Sequence, residues 1–485
     1  MERRRETTPW DGGRTGVLLT AALVAVSFLG WKALGLPFAP FDIFDWIVRL
    51  LPGGVVTVAI DTSVAVSRAF GVTNISAAAK AGDQVLAIAG LLGAGGIAGA
   101  ALFAALSLSD EPALLFGGIL GAMLGGLALV AEYRLQRIAP GSVGAPAWVF
   151  ATFVAWGVAF GWTRDRIAGK DDARTVVTRR TLLLTLVSAV AGIVIGRLSR
   201  AVIGRRWSDD HPLPNTDAAV QPVLGTRAEL TPIEDFYRID TDTRAPAIDG
   251  DRWRLTIGGL VDRPQTLALA DLRAIEPAEF FATLCCISNP PGGDLISTTR
   301  WMGVSLQRLL PRLALQPSAT HLKITSADGF FEAVALDTIR ADARAMLAYA
   351  WDGVPLPAEH GFPLRLYVPD LYGMKQPKWI TRIDAVAQWE PGYWVVRGWS
   401  RDGRVEATAS VDAVVRQGDM ADVGGIAYAG SRGVVRVEVR GDNGEWHDAQ
   451  LRRPLSDLTW VVWRARIPAA AKYVARAVPG VSSRA

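Results

Sequence analysis

Residues 283–310, TLCCISNPPGGDLISTTRWMGVSLQRLL, hold both cysteines of the chain, side by side, ahead of a Pro-Pro-Gly-Gly turn. Adjacent cysteines make poor crosslinks, because a disulfide wants Cα atoms roughly 5.5 Å apart and trans neighbours sit about 3.8 Å apart. A zinc site would need two further ligands at suitable spacing, and none accompanies the pair. Read alone, the two thiols are small buried hydrophobes, the usual fate of free cysteine. The glycines at 292 and 293 add a second reading, since they let the backbone bend close to a ligand. The rest of the chain decides between them.

With 485 residues, the length suggests roughly three domain-sized units. Half the residues are apolar, a fifth are charged, and the mean hydropathy is +0.23. That balance is unusual for a soluble protein and points to a bilayer. A formal charge of +4 gives no case for a nucleic-acid partner. Two cysteines do not settle the compartment.

The first 200 residues contain apolar runs at 16–34, 84–107, 113–131, 146–162 and 180–196, each approaching the ~20 residues a helix needs to cross hydrocarbon. Gly95 and Gly99, Gly117 and Gly121, and Gly121 and Gly125 stand at small-xxx-small spacing, which lets helix backbones approach closely. The stretch 42–67 is interrupted by Asp45, Arg49, Pro52 and Asp61, and reads as an interfacial helix followed by a weak span. The basic segments MERRRE and 163–180 belong in the cytoplasm. Five spans then place everything beyond residue 200 outside. Arg179 and Arg180 directly before the last apolar run resemble a twin-arginine export signal, as well as a plain charge flank. None of the four histidines falls within a span, so a membrane cytochrome b by the usual ligation is excluded. No Lys or Glu pair in the spans marks an ion path, so this half reads as an anchor or docking platform.

A linker over 201–230 leads to a different pattern. Residues 253–261, 321–336 and 362–369 read as strands, and 269–275 and 305–313 as short helices. The mixture lacks βαβ regularity and indicates an α+β domain over 231–405. Dense period-2 patterning over 424–451 and 459–467 indicates a β-sandwich within 406–485.

The opening segment resembles the metal-ligand segment of the sulfite oxidase family of molybdopterin enzymes, where a cysteine and a polar turn ending in Asn precede Trp-x-Gly-Val-x-Leu. MLAYAWDGVPLPAEHGFPLRLYVPDLYGMKQPKWI (346–380) resembles a second block of that family, and AYAGSRGVVRVEV (427–439) the start of its Ig-like C-terminal domain. The resemblance covers about 230–470 and nothing in the first 200 residues. It implies a multi-domain chain: an N-terminal α-helical transmembrane bundle (1–200), an α+β molybdopterin domain and an Ig-like sandwich.

By register with the family, Cys286 is the single metal thiolate, a soft donor of the kind molybdenum takes, while Cys285 points away. Asn289, Tyr237, Arg238, His360, Arg365, Lys375, Gln376 and Lys378 are implied as cofactor contacts. The cations suit a phosphate-bearing anionic pterin. Tyr349 and Arg432 are implied in the substrate pocket. One departure bears on substrate: where sulfite oxidases carry an arginine after the turn, this chain has Pro290 and Pro291. The implied activity is two-electron oxygen-atom transfer on a small sulfur- or oxo-containing substrate, with a molybdenum–molybdopterin cofactor and no haem. Implied partners are a cytochrome or quinone redox system, with a homodimer through the sandwich allowed. The setting is a bacterial cell membrane with the catalytic domain extracytoplasmic. A non-catalytic platform of the same fold, or a polytopic transporter with an accessory domain, are the competing readings.

Overall fold

A computed structural model describes residues 7–69, 75–108, 112–138, 141–169, 206–442 and 444–480. The chain divides into two compact units. One comprises Met1–Leu51, Ala79–Val202 and Asp242–Arg244; the other Pro52–Ala78, Ile203–Thr241 and Ala245–Ala485.

The first unit is built on helices α1 (Pro9–Leu34) and α2 (Ala39–Leu50). After α3 (Gly53–Ala69), which belongs to the second unit, come α4 (Ile75–Ser107), α5 (Ala113–Arg134) and α6 (Gly144–Gly169). Thr8 and Asp11 close a reciprocal cap on the first turn of α1, and Gly35, at φ 65°, ends it. The glycine spacing does what it promised. A Cβ on Gly117 would lie 2.2 Å from the carbonyl oxygen of Gly157, and one on Gly99 would lie 2.2 Å from that of Gly12. Only glycine allows these helix backbones to approach so closely.

Four helices, Pro9–Leu34, Ala78–Ser107, Ala113–Arg134 and Gly144–Ala168, are long and apolar enough to cross a membrane. They correspond to four of the five expected spans. Helix α2 and the start of α3 pass the same test only together, across a 120° bend, which is the interrupted stretch read from the sequence. The expected span at 180–196, with Arg179 and Arg180, lies outside the described residues. One expectation fails. Asp42, Asp45 and Glu132 are buried in this unit, so the helical half does contain buried charge. Asp42 and Asp45 sit in the short α2, and Glu132 one residue beyond the apolar run 113–131, where composition alone gave no hint of enclosure.

In the second unit, the strand that ends at the cysteine pair, Ala278–Cys285, pairs antiparallel with Ile296–Ser305. That strand carries the Trp-x-Gly stretch and pairs in turn with Met346–Trp351, which also takes Val354–Pro355 and Arg365–Tyr367. A second sheet runs Gln265–Leu267, Leu255–Gly259, Ile380–Val386, His321–Ser326, Phe331–Ala335, with one parallel pair at Leu255–Gly259 and Ile380–Val386. The expected single strand over 321–336 is two, folded at Gly329 with φ 80°. Short helices at Leu269–Arg273 and Leu306–Leu313 fall where their patterns placed them, and the latter buries Leu306, Leu309, Leu310 and Leu313.

Beyond residue 405, the strands Thr408–Ala409, Met420–Tyr428, Val461–Pro468 and Gln450–Leu451 form one sheet, with Ala413–Gln417 also paired to Met420–Tyr428. A second sheet contains His447–Asp448, Val434–Gly441 and Tyr473–Pro479. Val423, Ala427, Val437, Val439, Trp463 and Ile467 fill the core they share.

Candidate cofactor site

The cysteines sit where a strand becomes a loop. Cys285 is the last residue of its strand, and Cys286 opens a connection tied off at both ends. The Cys286 N–H donates to the Leu295 carbonyl (2.9 Å), and the Asn289 N–H donates to the Cys286 carbonyl (3.0 Å). The Asn289 side-chain oxygen accepts from the Leu295 N–H at 2.9 Å. Within the loop, Gly293 N–H donates to Pro290 (2.8 Å) around Gly292 at φ 77°. The loop is therefore shaped by its own backbone, and Asn289 is the staple.

The two side chains part company, as period-2 alternation requires. Cys285 packs with Val405, Ile426, Tyr428, Trp460 and Val462. Cys286 packs with Ile233, Phe236, Tyr237, Leu284 and Trp301. The Cys286 sulfur lies 3.0 Å from the Ser288 hydroxyl. Burial pushes both thiols up, with Ser288 opposing the shift at Cys286. Both are neutral thiols at neutral pH, so a metal taking Cys286 as thiolate displaces a proton.

On the Cys286 side the chain concentrates positive charge. Arg365 is fully enclosed. Its Nη1 donates to the His360 carbonyl at 3.1 Å and its guanidinium carbon lies 5.0 Å from the Trp301 ring centre. No carboxylate pairs with it, its Nε is buried without a hydrogen-bond partner, and burial pushes its pKa down to about 10. Arg238 donates through Nε to Asp240 at 2.7 Å and has a buried Nη2 with no partner. Lys378 donates to the same Asp240 oxygen at 3.3 Å and to the Glu359 carbonyl at 3.2 Å. Burial, offset in part by Asp240, pushes Lys378 down to about 8. His360, against the rings of Phe236 and Trp351, is pushed well below its ordinary value by burial, then by Lys378, Arg365 and Arg238. Its imidazole is neutral.

Tyr237 links the two halves of the site. Its N–H donates to the Ser297 hydroxyl at 3.0 Å, and its phenol feels Cys286, Cys285 and Arg365. A Cβ on Gly373 would meet that phenol oxygen at 2.6 Å, so glycine is required there.

The structure thus brings together Cys286, Tyr237, Arg238, His360, Arg365 and Lys378, with Asn289 setting the loop. Other expected residues are engaged elsewhere. Lys375 donates to buried Glu332 at 3.1 Å, so its charge is already neutralised. The Gln376 amide is bonded to Val368 and Leu371 main chain. Arg432 donates to the carbonyls of Ala429 (3.1 Å) and Val405 (2.7 Å), behind the Cys285 side. Tyr349 belongs to a different cluster from Cys286, with the Arg273 guanidinium 5.7 Å from its ring centre. Sequence reasoning missed Asp240, Glu332 and Ser288. Asp240 could have been found, since it stands two residues after Arg238 in a segment already singled out.

Buried guanidinium N–H groups without acceptors are costly unless an anion completes them. A single soft thiol beside them is the donor a molybdenum centre needs from protein. The residues fit a phosphate-bearing pterin with its metal on Cys286.

Comparison with known proteins gives the same direction. Residues 242–394 match the Oxidoreductase molybdopterin binding domain. The uncharacterized oxidoreductase YuiH of Bacillus subtilis is 31% identical over 155 residues, covering 32% of this chain and 76% of that protein. Mitochondrial sulfite oxidase of Rattus norvegicus is 26% identical over 309 residues, covering 53% and 56%. The chain thus spans little more than half of that enzyme. The sulfane dehydrogenase SoxCD of Paracoccus pantotrophus is 21% identical, with 58% and 81% covered and a TM-score of 0.46. With a thiol loop, a cationic cradle and these relatives, the chain belongs to the molybdopterin-binding oxidoreductase family of the sulfite oxidases.

Proposed function

We propose that the protein is a membrane-anchored molybdenum-cofactor oxidoreductase that transfers an oxygen atom to or from a small sulfur- or oxo-containing substrate. Its catalytic unit would face the extracytoplasmic side and exchange electrons with a cytochrome or quinone partner. The observation that carries this reading is Cys286, aimed into the cluster that holds the buried, unpartnered N–H groups of Arg238 and Arg365.

When bound, the cofactor supplies the two-electron redox chemistry and the metal that accepts or gives oxygen. The chain supplies everything around it. Cys286 gives up its proton and offers the thiolate. Arg238, Arg365 and Lys378 grip anionic oxygens, and Asp240 keeps two of these three cations in place. Neutral His360 contributes a hydrogen bond without adding charge. Tyr237 stands between the thiol and Arg365, where its hydroxyl orients a polar neighbour.

The Pro290–Gly293 turn supplies no cation to a substrate. The arginine that reaches it, Arg227, donates to the Gly293 carbonyl at 3.2 Å and is paired in bidentate fashion with Asp412. This supports a neutral oxo-acceptor such as a sulfoxide at least as well as sulfite. Full-length protein from a host that makes the pterin should contain molybdenum and turn over a member of a sulfoxide and sulfite panel, read by the molybdenum signal. Molybdenum-free protein from such a host would favour the non-catalytic platform and sink the proposal.

A further inference from the structure

The helical unit contains a charge network that the oxidoreductase reading does not use. Its centre is the three-residue segment Asp242–Arg244. Asp242 pairs with Arg49 at 2.6 Å and with Arg137, and its carbonyl accepts from Lys80 at 2.7 Å. Asp45 accepts from the Thr243 N–H (2.9 Å) and hydroxyl (3.2 Å), and the Thr243 carbonyl accepts from Gln84 at 3.2 Å. Arg244 donates to Asp42 at 2.6 Å, and Arg137 Nε lies 3.2 Å from the same carboxylate.

Glu132, at the end of α5, is the exception. It is 0% exposed, and neither carboxylate oxygen has a hydrogen-bond partner. No cation lies within ion-pair distance of it. What it faces is the carboxylate of Asp42, with Arg244 and Arg137 acting on it from further away. Two ionised carboxylates are acceptors only and repel, and burial makes that repulsion severe. A single proton changes the contact from repulsion to a hydrogen bond.

We propose that Glu132 and Asp42 bind one proton between them at neutral pH, and that this proton completes the seat of the Asp242–Arg244 segment. The groups that act on the pair come from each surrounding element: Asp45 and Arg49 on α2, Lys80 and Asp83 on α4, Arg137 after α5, Lys32 on α1, and Asp242 and Arg244 of the segment itself. Losing the proton leaves Glu132 as a second anion beside Asp42. It then competes for Arg137 and Arg244, the two cations that also hold the segment. The seat loosens as pH rises.

The test uses full-length protein in detergent or lipid discs and does not depend on molybdenum content, so it can fail while the oxidoreductase reading stands. Infrared difference spectra of wild type against Glu132→Gln should show one carboxylic-acid C=O band, at neutral pH, present in wild type and missing in the variant. Glutamine keeps a donor toward Asp42, and Asp42→Asn serves as a second variant that should also remove the band. Trypsin cleavage after Arg244 reads the seat. Its rate, relative to Glu132→Gln, should rise several-fold between neutral and alkaline pH. Loss of no acid band in either variant overturns the shared proton, and a rate ratio constant with pH overturns its role in the seat.

Discussion

Two buried charge clusters in this protein are opposites. In the cofactor site, Arg238, Arg365 and Lys378 share the carboxylate of Asp240, and N–H donors are left over. In the helical unit, Asp42, Asp45 and Asp242 are met by Arg49, Arg137 and Arg244, and a carboxylate is left over. What is left over indicates what is missing. Spare guanidinium donors call for an anion, and a spare carboxylate calls for a proton. A buried cluster is best read by its remainder, since its paired members are close to neutral in net effect.

The sharpest way to break this contrast is to remove a paired member from the balanced cluster. Asp242→Ala leaves Arg49 and Arg137 enclosed without their shared anion, and should cost about 3–5 kcal/mol in the unfolding of the full chain. A cost under ~1 kcal/mol would show that the network is solvated. The cationic cluster should respond in the other direction. Arg365→Met removes an enclosed charge with no carboxylate partner, so cofactor-free protein should gain about 1–3 kcal/mol while retention of the pterin falls at least about tenfold. Destabilised cofactor-free protein would contradict the claim that this cation awaits a ligand.

Lys378 gives a pH signature. Its pKa of about 8 in the free site lies below the ordinary lysine value because burial disfavours the charged form. An anion restores the charge, so binding takes up a proton, and affinity for the anionic pterin should fall as pH rises through about 8. Lys378→Arg, charged throughout, should flatten the dependence. Affinity that is flat in the wild type would place Lys378 outside the anion contact. The smallest expected effect is Glu132→Gln, within about 1 kcal/mol of wild type at neutral pH because the amide replaces the protonated acid.

Much of this arrangement was legible in the sequence because it is local. Glycine spacing announced the tight helix contacts, and period-2 alternation separated Cys285 from Cys286. The order Cys-Ile-Ser-Asn then selected the thiol facing Tyr237. What escaped depends on distant pairings. Arg49 meets Asp242 across 193 residues, and Lys375 meets Glu332 across 43. No window along the chain contains either pair. Tyr349 shows a subtler limit. The register of Met346–Trp351 against Ile296–Ser305 slips between Met302 and Gly303, and Tyr349 is the residue left without a partner. A bulge resets which face a side chain takes, and a family motif read in one dimension does not reveal it.

The central claim is that one thiol of an adjacent pair, facing an anion-seeking cradle, holds a molybdenum centre. Molybdenum content of full-length protein made in a pterin-producing host tests it most directly. The account predicts near-stoichiometric metal in the wild type and in Cys285→Ser, and its loss in folded Cys286→Ser. Equal metal in both variants, or retention in Cys286→Ser with loss in Cys285→Ser, would contradict it.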